Sequence, residues 1–172
     1  MKPRELEAQL ERLHEESFGW ALSCCGHDKT EAEDVLQTTY LKIITGKARF
    51  EGRSSLRTWV FGVIRRTAQE VNRRTQVERR RVIRLVADDL SDSTSEGPDR
   101  EMDRTQTADD LLRAMKNLSD RQREVLHLVF YQDLTIAEAA EVMGVSLGSA
   151  RTHYERGKER LRTLLGEGEN VA

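Results

Sequence analysis

Proline, cysteine and aromatic residues are all scarce in this chain of 172 residues. The two prolines stand at positions 3 and 98, so no proline forces a helix to end anywhere between them. The two cysteines, Cys24 and Cys25, are adjacent; a disulfide between them would be strained, and the chain offers no disulfide framework. Aromatic residues make up 5% of the chain and β-branched runs are short, which disfavours sheets. These absences predict an all-α protein.

Long hydrophobic runs are also missing. No apolar stretch approaches the ~18 residues that a membrane span needs, and the N-terminus does not resemble a signal peptide. We therefore expect a reduced, cytoplasmic protein without membrane insertion.

The sequence contains no glycine-rich phosphate loop and no nucleophile–base pattern, and its histidines share no ligand spacing. It therefore predicts no enzymatic activity, no metal site and no cofactor. A zinc or redox module remains an alternative because possible ligands cluster at Cys24, Cys25, His27 and Asp28. Adjacent cysteines converge poorly on one tetrahedral ion, however, so ordinary packing of these side chains is favoured.

Charge, by contrast, is abundant and unevenly distributed. Charged residues make up 34% of the chain, with a formal net charge of −2. Residues 45–85 contain 12 Lys or Arg against three Glu, whereas residues 88–110 contain nine acidic residues against two Arg. The basic segment is a candidate phosphate-binding surface. The acidic one has almost nothing to bury and predicts a flexible linker. We expect two small helical domains, 1–87 and 107–172, joined by the flexible acidic linker 88–106.

The N-terminal domain is predicted to begin with two helices. Apolar residues recur at helical spacing over Arg4–Ser23. A capping-box pattern at Thr30 predicts the next helix, which continues to about Ile44 and stops at Gly46. Leu41 and Ile44 are available for burial in this helix.

A basic segment with interleaved aromatic residues follows. We expect a loop over Lys47–Ser55, ending in two serines of which one caps a long helix from Leu56 to about Val86. Aromatic rings among arginines suit unpaired bases, because a base stacks on a ring while guanidinium groups contact the backbone. We expect Phe61 to be a core residue, whereas Trp59 fits a base-stacking role and a core position equally well.

The C-terminal domain has the pattern of a helix followed by a helix-turn-helix. Capping boxes at Ser119 and Thr135 each predict a helix start. Gly144 can adopt the left-handed conformation that a tight turn requires, and Ser146 can cap the last helix. Apolar residues of the first helix, through Phe130, are expected to be buried. Because a helix-turn-helix places its second helix in the major groove of DNA, we expect that helix to contact DNA through Ser146, Ser149, Arg151, Thr152, Tyr154, Glu155, Arg156 and Lys158.

Two blocks of the sequence together resemble bacterial RNA polymerase sigma factors of the extracytoplasmic-function (ECF) group. Residues 31–40 (EAEDVLQTTY) and 50–61 (FEGRSSLRTWVF) are similar to region 2 of that family. The helix-turn-helix, with GSART at 148–152, is similar to region 4. In this order and spacing the resemblance covers nearly all of residues 4–165. It implies a sigma subunit that binds core polymerase and directs promoter-specific transcription initiation.

The resemblance also implies roles for individual residues. The helix before the loop would dock on the coiled coil of the polymerase β′ subunit through Asp34, Gln37, Leu41 and Lys42. The melted −10 promoter element would be bound by Arg49, Phe50, Arg53, Ser54, Ser55, Arg57, Trp59, Arg65, Arg66, Arg73 and Arg74. The last helix would bind the −35 element as duplex. Further partners would be the polymerase β flap and an anti-sigma factor.

The alternative function is that of a helix-turn-helix transcription regulator that is not a polymerase subunit. Such a protein needs a dimer interface or a ligand domain, and the N-terminal half shows no signature of either. It would also leave the basic segment with its aromatic residues unexplained.

Overall fold

The computed structural model describes residues 3–86 and 106–169, which form eight α-helices and no strands. The helices are α1 (Pro3–Arg12), α2 (His14–Cys24), α3 (Lys29–Ile44), α4 (Leu56–Val86), α5 (Gln106–Lys116), α6 (Asp120–Phe130), α7 (Ile136–Met143) and α8 (Leu147–Glu169). The all-α prediction is thereby confirmed. The predicted acidic linker lies outside the described residues except for Gln106, at which α5 begins.

The N-terminal unit, α1–α4, packs α2, α3 and α4 around the fully buried rings of Trp20 and Phe61. The indole Nε1 of Trp20 donates a hydrogen bond of 3.0 Å to the Phe61 carbonyl, which satisfies the polar end of a large buried ring. Phe61 is thus a core residue, as expected. The single helix expected over Arg4–Ser23 is instead two helices, separated at Leu13, where no side chain caps the new start.

Side-chain caps determine where several helices begin. Asp28 caps α3, its carboxylate accepting a hydrogen bond of 3.0 Å from the N–H three residues later. The predicted cap at Thr30 is therefore wrong, because Thr30 already lies inside the helix. Ser119 and Thr135 form the capping boxes predicted for α6 and α7. Gly144 ends α7 with φ at 65° and ψ at 38°, the left-handed conformation expected of it.

Three large apolar side chains that were available for burial are exposed, and for Leu41 this exposure agrees with its assignment to the polymerase docking face. Leu41 is 64% exposed and Ile44 59%, because the helix turns them about 200° and 100° away from the buried Ile43. Phe130 lies in the last turn of α6 and is 56% exposed. These residues were considered for the core because their side chains are apolar. Their burial depends instead on where they lie around the helix axis relative to the buried face.

The C-terminal unit, α5–α8, packs against the N-terminal unit. α4 lies against α7, and α2 lies against α6. The Trp20 and His127 rings have centroids 5.4 Å apart across this boundary. An ion pair between Arg65 and Glu124, at 2.7 Å, also crosses it. This ion pair was not predicted, because Arg65 and Glu124 are 59 residues apart and each is a residue type that usually lies on a polar surface.

Candidate nucleic-acid interface

The N-terminal turns of α8 present a polar face. Ser146 caps the helix, its Oγ accepting a hydrogen bond of 3.1 Å from the Ser149 N–H. Ala150 is fully buried against the rest of the unit, which turns the neighbouring positions outward. Of the side chains on this helix that were predicted to contact DNA, those of Ser149, Arg151, Thr152, Glu155 and Arg156 are exposed. Such a face has hydroxyl and guanidinium donors available for the edges of base pairs.

Tyr154 and Lys158, also predicted to contact DNA, are only partly exposed. The Tyr154 ring stacks on Phe130 with centroids 6.0 Å apart. The Lys158 ammonium lies 4.6 Å from the Tyr154 ring centroid and 3.3 Å from a Glu155 carboxylate oxygen. A cation over an aromatic face is attracted to it, so Lys158 holds the Tyr154 ring from within α8, and Tyr154 in turn contacts Phe130 on α6.

Gly157 is a positioning residue that sequence reasoning missed. A Cβ atom there would lie 3.1 Å from Leu126 Cδ1 and 3.2 Å from Gln122 Cβ. The absence of a side chain therefore allows α8 to approach α6 closely. Glycine destabilises the middle of a helix relative to alanine. Its presence inside the predicted last helix was therefore the feature of the sequence that could have indicated a close helix contact.

The loop before α4 brings an aromatic pair together. Phe50 and Trp59 have ring centroids 5.4 Å apart, tilted at 54°, and both are half-buried. Ser55, rather than Ser54, caps α4, because its Oγ accepts a hydrogen bond of 3.1 Å from the Thr58 N–H. Trp59 is thus neither a fully buried core residue like Phe61 nor a free ring, and part of its surface remains available for stacking.

The arginines around this loop fall into two groups. Arg49 donates to the Gly46 carbonyl at 3.2 Å and Arg53 pairs with Glu51 at 2.9 Å, and both remain exposed. Arg66, Arg73 and Arg74 are exposed along α4. These five guanidinium groups are accessible to phosphate in this arrangement.

Arg57 and Arg65 form the second group, because contacts with other parts of the chain occupy their guanidinium groups. Arg57 donates to a Glu16 carboxylate oxygen at 2.6 Å and to the backbone carbonyl of Gln132. Arg65 is buried and donates to both carboxylate oxygens of Glu124, at 2.7 and 3.2 Å. In this arrangement neither guanidinium group is free to contact DNA.

The face predicted to dock on polymerase lies on α3. Asp34, Gln37 and Leu41 are exposed and lie one turn apart, with the exposed Ile44 continuing the stripe. Ile44 was missed as a surface residue because its side chain is apolar. The stripe combines polar and apolar side chains in the way that helix-on-helix interfaces do.

Lys42, assigned to the same docking face, turns toward α4 instead. Its ammonium donates to a Glu70 carboxylate oxygen at 2.7 Å and to Thr67 Oγ1 at 3.2 Å. That hydrogen bond lowers the pKa of Glu70 below its ordinary value. Lys42 therefore holds α3 against α4 in this arrangement, and the exposed docking stripe lies beside it.

The two adjacent cysteines lie in surroundings that disfavour their thiolate forms. Burial raises the pKa of the Cys24 thiol well above its ordinary value. Burial, together with the nearby carboxylates of Glu31 and Asp28, raises the pKa of Cys25 to about 12. A thiolate is the form that binds metals and reacts, and burial disfavours that form at both cysteines. Among residues 3–86 and 106–169, no group of three or more His, Cys, Asp or Glu side chains could hold a metal ion.

The helix-turn-helix has a polar second helix, and a basic helix follows a loop that bears an aromatic pair. These features are typical of DNA-binding proteins. Within the described part of the chain, no helix is long and apolar enough to cross a membrane.

Comparison with known proteins is consistent with this class. Residues 10–78 match the family described as Sigma-70 region 2, and residues 114–163 match Sigma-70, region 4. The chain is 30% identical to the ECF RNA polymerase sigma factor SigX of Bacillus subtilis over 137 residues, which cover 78% of this chain and 71% of SigX. It is 28% identical to the RNA polymerase sigma factor YlaC of the same organism, over 94% of this chain and 93% of YlaC.

Solved structures show the same architecture. The sigma factor RpoE, in its complex with the anti-sigma factor NepR from Bartonella quintana, superposes with a TM-score of 0.66 at 25% identity, covering 95% of this chain and 98% of RpoE. CnrH, in its complex with the cytosolic domain of CnrY, superposes with a TM-score of 0.64 at 20% identity over 96% of this chain and 90% of CnrH, and shares the fold.

The chain belongs to the ECF group of sigma-70 family RNA polymerase sigma factors. It therefore acts in promoter-specific transcription initiation. A helix-turn-helix regulator outside the polymerase would leave the match to region 2 without an explanation.

Proposed function

We propose that the chain binds core polymerase through the α3 stripe, opens the −10 element with the loop before α4, and holds the −35 element with α8. The observation that carries this assignment is that the two chemistries lie on separate units. Half-exposed aromatic rings among exposed arginines lie on one unit, and a polar helix face at a helix-turn-helix lies on the other.

For the −10 element, the Phe50–Trp59 pair is the stacking surface. Stacking on an aromatic ring stabilises an unpaired base and tolerates any sequence, because every base has a π-face. Arg49 and Arg53, at the rim of the loop, would contact the backbone of the displaced strand. Extruding a base from the duplex costs stacking energy, which favours promoters that open easily.

For the −35 element, Ser149, Arg151 and Thr152 are the first candidates for base contacts. They lie in the first two turns of α8, the part of a recognition helix that reaches base edges. Arg156, one turn further on, would contact phosphate. Glu155 pairs with Lys158 at 3.3 Å, so its role is to orient that lysine rather than to accept from a base.

For core polymerase, the α3 stripe is the proposed docking face, and its partner is the coiled coil of the β′ subunit. Leu41 and Ile44 supply apolar area, while Asp34 and Gln37 supply charge and hydrogen bonds. The C-terminal unit would meet the β flap. A chain that binds the polymerase in this way would act in the cytoplasm, where the polymerase is.

An anti-sigma factor is a further proposed partner. RpoE and CnrH are described in complexes with NepR and with the cytosolic domain of CnrY. The present chain, in which the two units pack together, is similar in fold to both.

Promoter opening by the reconstituted holoenzyme tests the assignment of the two surfaces. A promoter fragment would be selected from random-sequence DNA by the wild-type holoenzyme, and strand opening would be read by permanganate reactivity of thymines. We expect Trp59→Ala to abolish opening while retaining DNA binding, and Arg151→Ala to weaken binding itself. If Trp59→Ala lost binding and opening in parallel, or Arg151→Ala left binding unchanged, the assignment would be wrong.

A further inference from the structure

We propose that a cavity between α2, α5 and α6 is a binding site for a small, uncharged aromatic molecule that carries one hydrogen-bond acceptor. None of the described residues that line this cavity belongs to the α3 stripe, the loop before α4 or the exposed face of α8. The site is a property of the free chain and does not depend on the proposed contacts with polymerase and DNA.

The cavity has a volume of about 250 Å³, and α5 forms its apolar wall. That wall consists of Leu111, Leu112 and Met115, each only half-buried although its side chain is apolar. Ala108 and Tyr131 also line the cavity and are exposed, so they mark an entry path from solvent. A ligand seated against the α5 wall would remove apolar surface from water, which is favourable.

The size of the cavity limits the class of ligand. A cavity of about 150 Å³ accommodates a single benzene ring, so a volume of about 250 Å³ suits one ring with a substituent or two fused rings. Sites for drug-sized ligands and cofactors range from roughly 300 to 1,000 Å³. The cavity is therefore too small for a nucleotide.

The wall contributed by α6 and the residue after it is aromatic. The rings of His127 and Tyr131 both line the cavity and stack with centroids 5.2 Å apart, at an interplanar angle of 19°. On its other side His127 meets the buried ring of Trp20, with centroids 5.4 Å apart. Because aromatic rings attract one another in offset-stacked and edge-to-face geometries, a planar aromatic ligand fits this wall.

His127 also supplies one hydrogen-bond donor. The side-chain amide nitrogen of Gln132 lies 3.3 Å from His127 Nε2 and 3.5 Å from the Glu16 carbonyl oxygen. An amide nitrogen only donates, so Nε2 accepts and the proton of the neutral ring is on Nδ1. Burial lowers the pKa of His127 to about 4, which keeps the ring neutral at neutral pH. In the part of the chain that the structure describes, Nδ1 has no hydrogen-bond partner, so its N–H is available to an acceptor on the ligand.

The charged groups in the lining do not favour an anionic ligand. Arg123 donates to the backbone carbonyls of Met115 and Leu118, at 3.1 and 3.0 Å, and its remaining terminal nitrogen pairs with Asp120 at 3.3 Å. His27 is exposed to solvent, where an ion pair contributes little. A carboxylate in the cavity would thus lose hydration without gaining a matching charge, so the ligand is uncharged.

Methyl NMR of the full chain tests the site with two probes of the same size at neutral pH. Quinoline is uncharged there and carries one ring nitrogen as an acceptor, whereas naphthalene has no acceptor. The chain contains four methionines, of which Met115 lines the cavity and Met143 is buried in the core. We expect quinoline to shift the Met115 methyl signal saturably and to leave the Met143 signal unchanged. Quinoline should bind more tightly than naphthalene by roughly two- to tenfold, the contribution of one net hydrogen bond.

Two variants locate the ligand. Leu112→Trp should fill the cavity, so that quinoline no longer shifts the Met115 signal. Arg113→Trp is the matched control, because it introduces the same side chain on the same helix at a position that is 75% exposed and does not line the cavity. It should bind quinoline like the wild type. Circular dichroism and the Met143 signal check that each variant is folded, and Ala108→Trp replaces Leu112→Trp if the latter does not fold.

A third variant tests the donor. His127→Phe keeps an aromatic ring in the wall but removes the Nδ1 donor, so it should bind quinoline and naphthalene with equal affinity. A His127→Phe variant that retained the full preference for quinoline would show that His127 does not recognise the acceptor.

Four results with the wild type and the filled cavity would overturn the proposal. The first is the absence of a saturable Met115 shift with quinoline up to its solubility limit. The second is equal affinity of the wild type for quinoline and naphthalene. The third is tighter binding of 2-naphthoate, which has the same ring system as naphthalene with a carboxylate, than of quinoline. The fourth is unchanged quinoline binding by the folded variant in which tryptophan fills the cavity.

Discussion

Gly157 shows how much a single residue can decide in this chain. A methyl group at position 157 would press on Leu126 and on the Cβ of Gln122, at 3.1 and 3.2 Å. Overpacking of this kind costs about 1–3 kcal/mol, against a gain of about 1 kcal/mol from replacing a helical glycine with alanine. The cost should prevail because Gln122 Cβ is bonded directly to the backbone and cannot rotate away. We expect Gly157→Ala to lower the free energy of unfolding, measured by urea denaturation.

Gly166 is the matched control for that prediction. It lies in the same helix, and a Cβ there would meet no atom within 4 Å. Gly166→Ala should therefore raise stability slightly, since only the propensity gain remains. Equal effects of the two substitutions would show that α8 does not approach α6 as closely as described.

At the residue scale, replacing Arg151 shows whether its side chain recognises a base or contacts a phosphate. If its guanidinium group bonds to guanine in the major groove, Arg151→Ala should cost about 1–3 kcal/mol on the preferred duplex and relax sequence preference. Competition binding with the preferred and a scrambled −35 sequence measures this. An equal loss on both duplexes would make Arg151 a phosphate contact.

At the scale of the helices, the elements themselves were largely predictable from the sequence. The elements and side chains that each helix contacts were not. Local chemistry determines the capping boxes at Ser119 and Thr135 and the turn at Gly144, so these were predicted correctly. The orientation of Leu41 and Ile44 depends on how α3 rotates against its neighbours. The occupation of Arg65 depends on Glu124, which stands 59 residues away. The residues around each position do not show how α3 packs or which side chain pairs with Arg65. The Arg65 guanidinium group was therefore assigned to phosphate, like the others in its basic segment.

The exposed face of α3 gives a prediction at the same scale. Burying Leu41 and Ile44 in an interface should contribute at least about 2 kcal/mol together. We therefore expect Leu41→Ala/Ile44→Ala to weaken binding to core polymerase by tenfold or more, measured by fluorescence anisotropy, without loss of thermal stability.

The control for the α3 face is Val77→Ala/Val82→Ala, which removes apolar surface from α4 at side chains that are 51% and 52% exposed. It should leave polymerase affinity unchanged. If the α4 and α3 pairs weakened binding equally, the α3 stripe would not be the docking face.

At the scale of the whole molecule, the contact between the units should depend on pH through His127. Burial lowers the pKa of His127 to about 4, with the charge of His27 adding to the effect. Its unfolded pKa is about 6.5, so below that value the unfolded chain binds more protons than the folded one. The contribution of His127 to the free energy of unfolding is therefore fully present above pH 6.5 and is lost as the pH falls toward 4.

Thermal unfolding followed across this pH range checks the direction. The wild type should lose stability between pH 6.5 and 4, by up to roughly 3 kcal/mol from His127. His127→Phe keeps an aromatic ring beside Trp20 but cannot titrate, so its stability should depend less on pH. Identical pH profiles would show that His127 is solvated in the folded chain.

The central claim for the molecule is that both units act together as one sigma subunit. The most direct test is transcription in vitro, with core RNA polymerase, the full chain and a library of promoter fragments. The two-surface assignment predicts transcripts that require the chain, arise from a small set of fragments, and are lost in both Trp59→Ala and Arg151→Ala. The absence of any chain-dependent transcript, or transcripts that survive both substitutions, would contradict it.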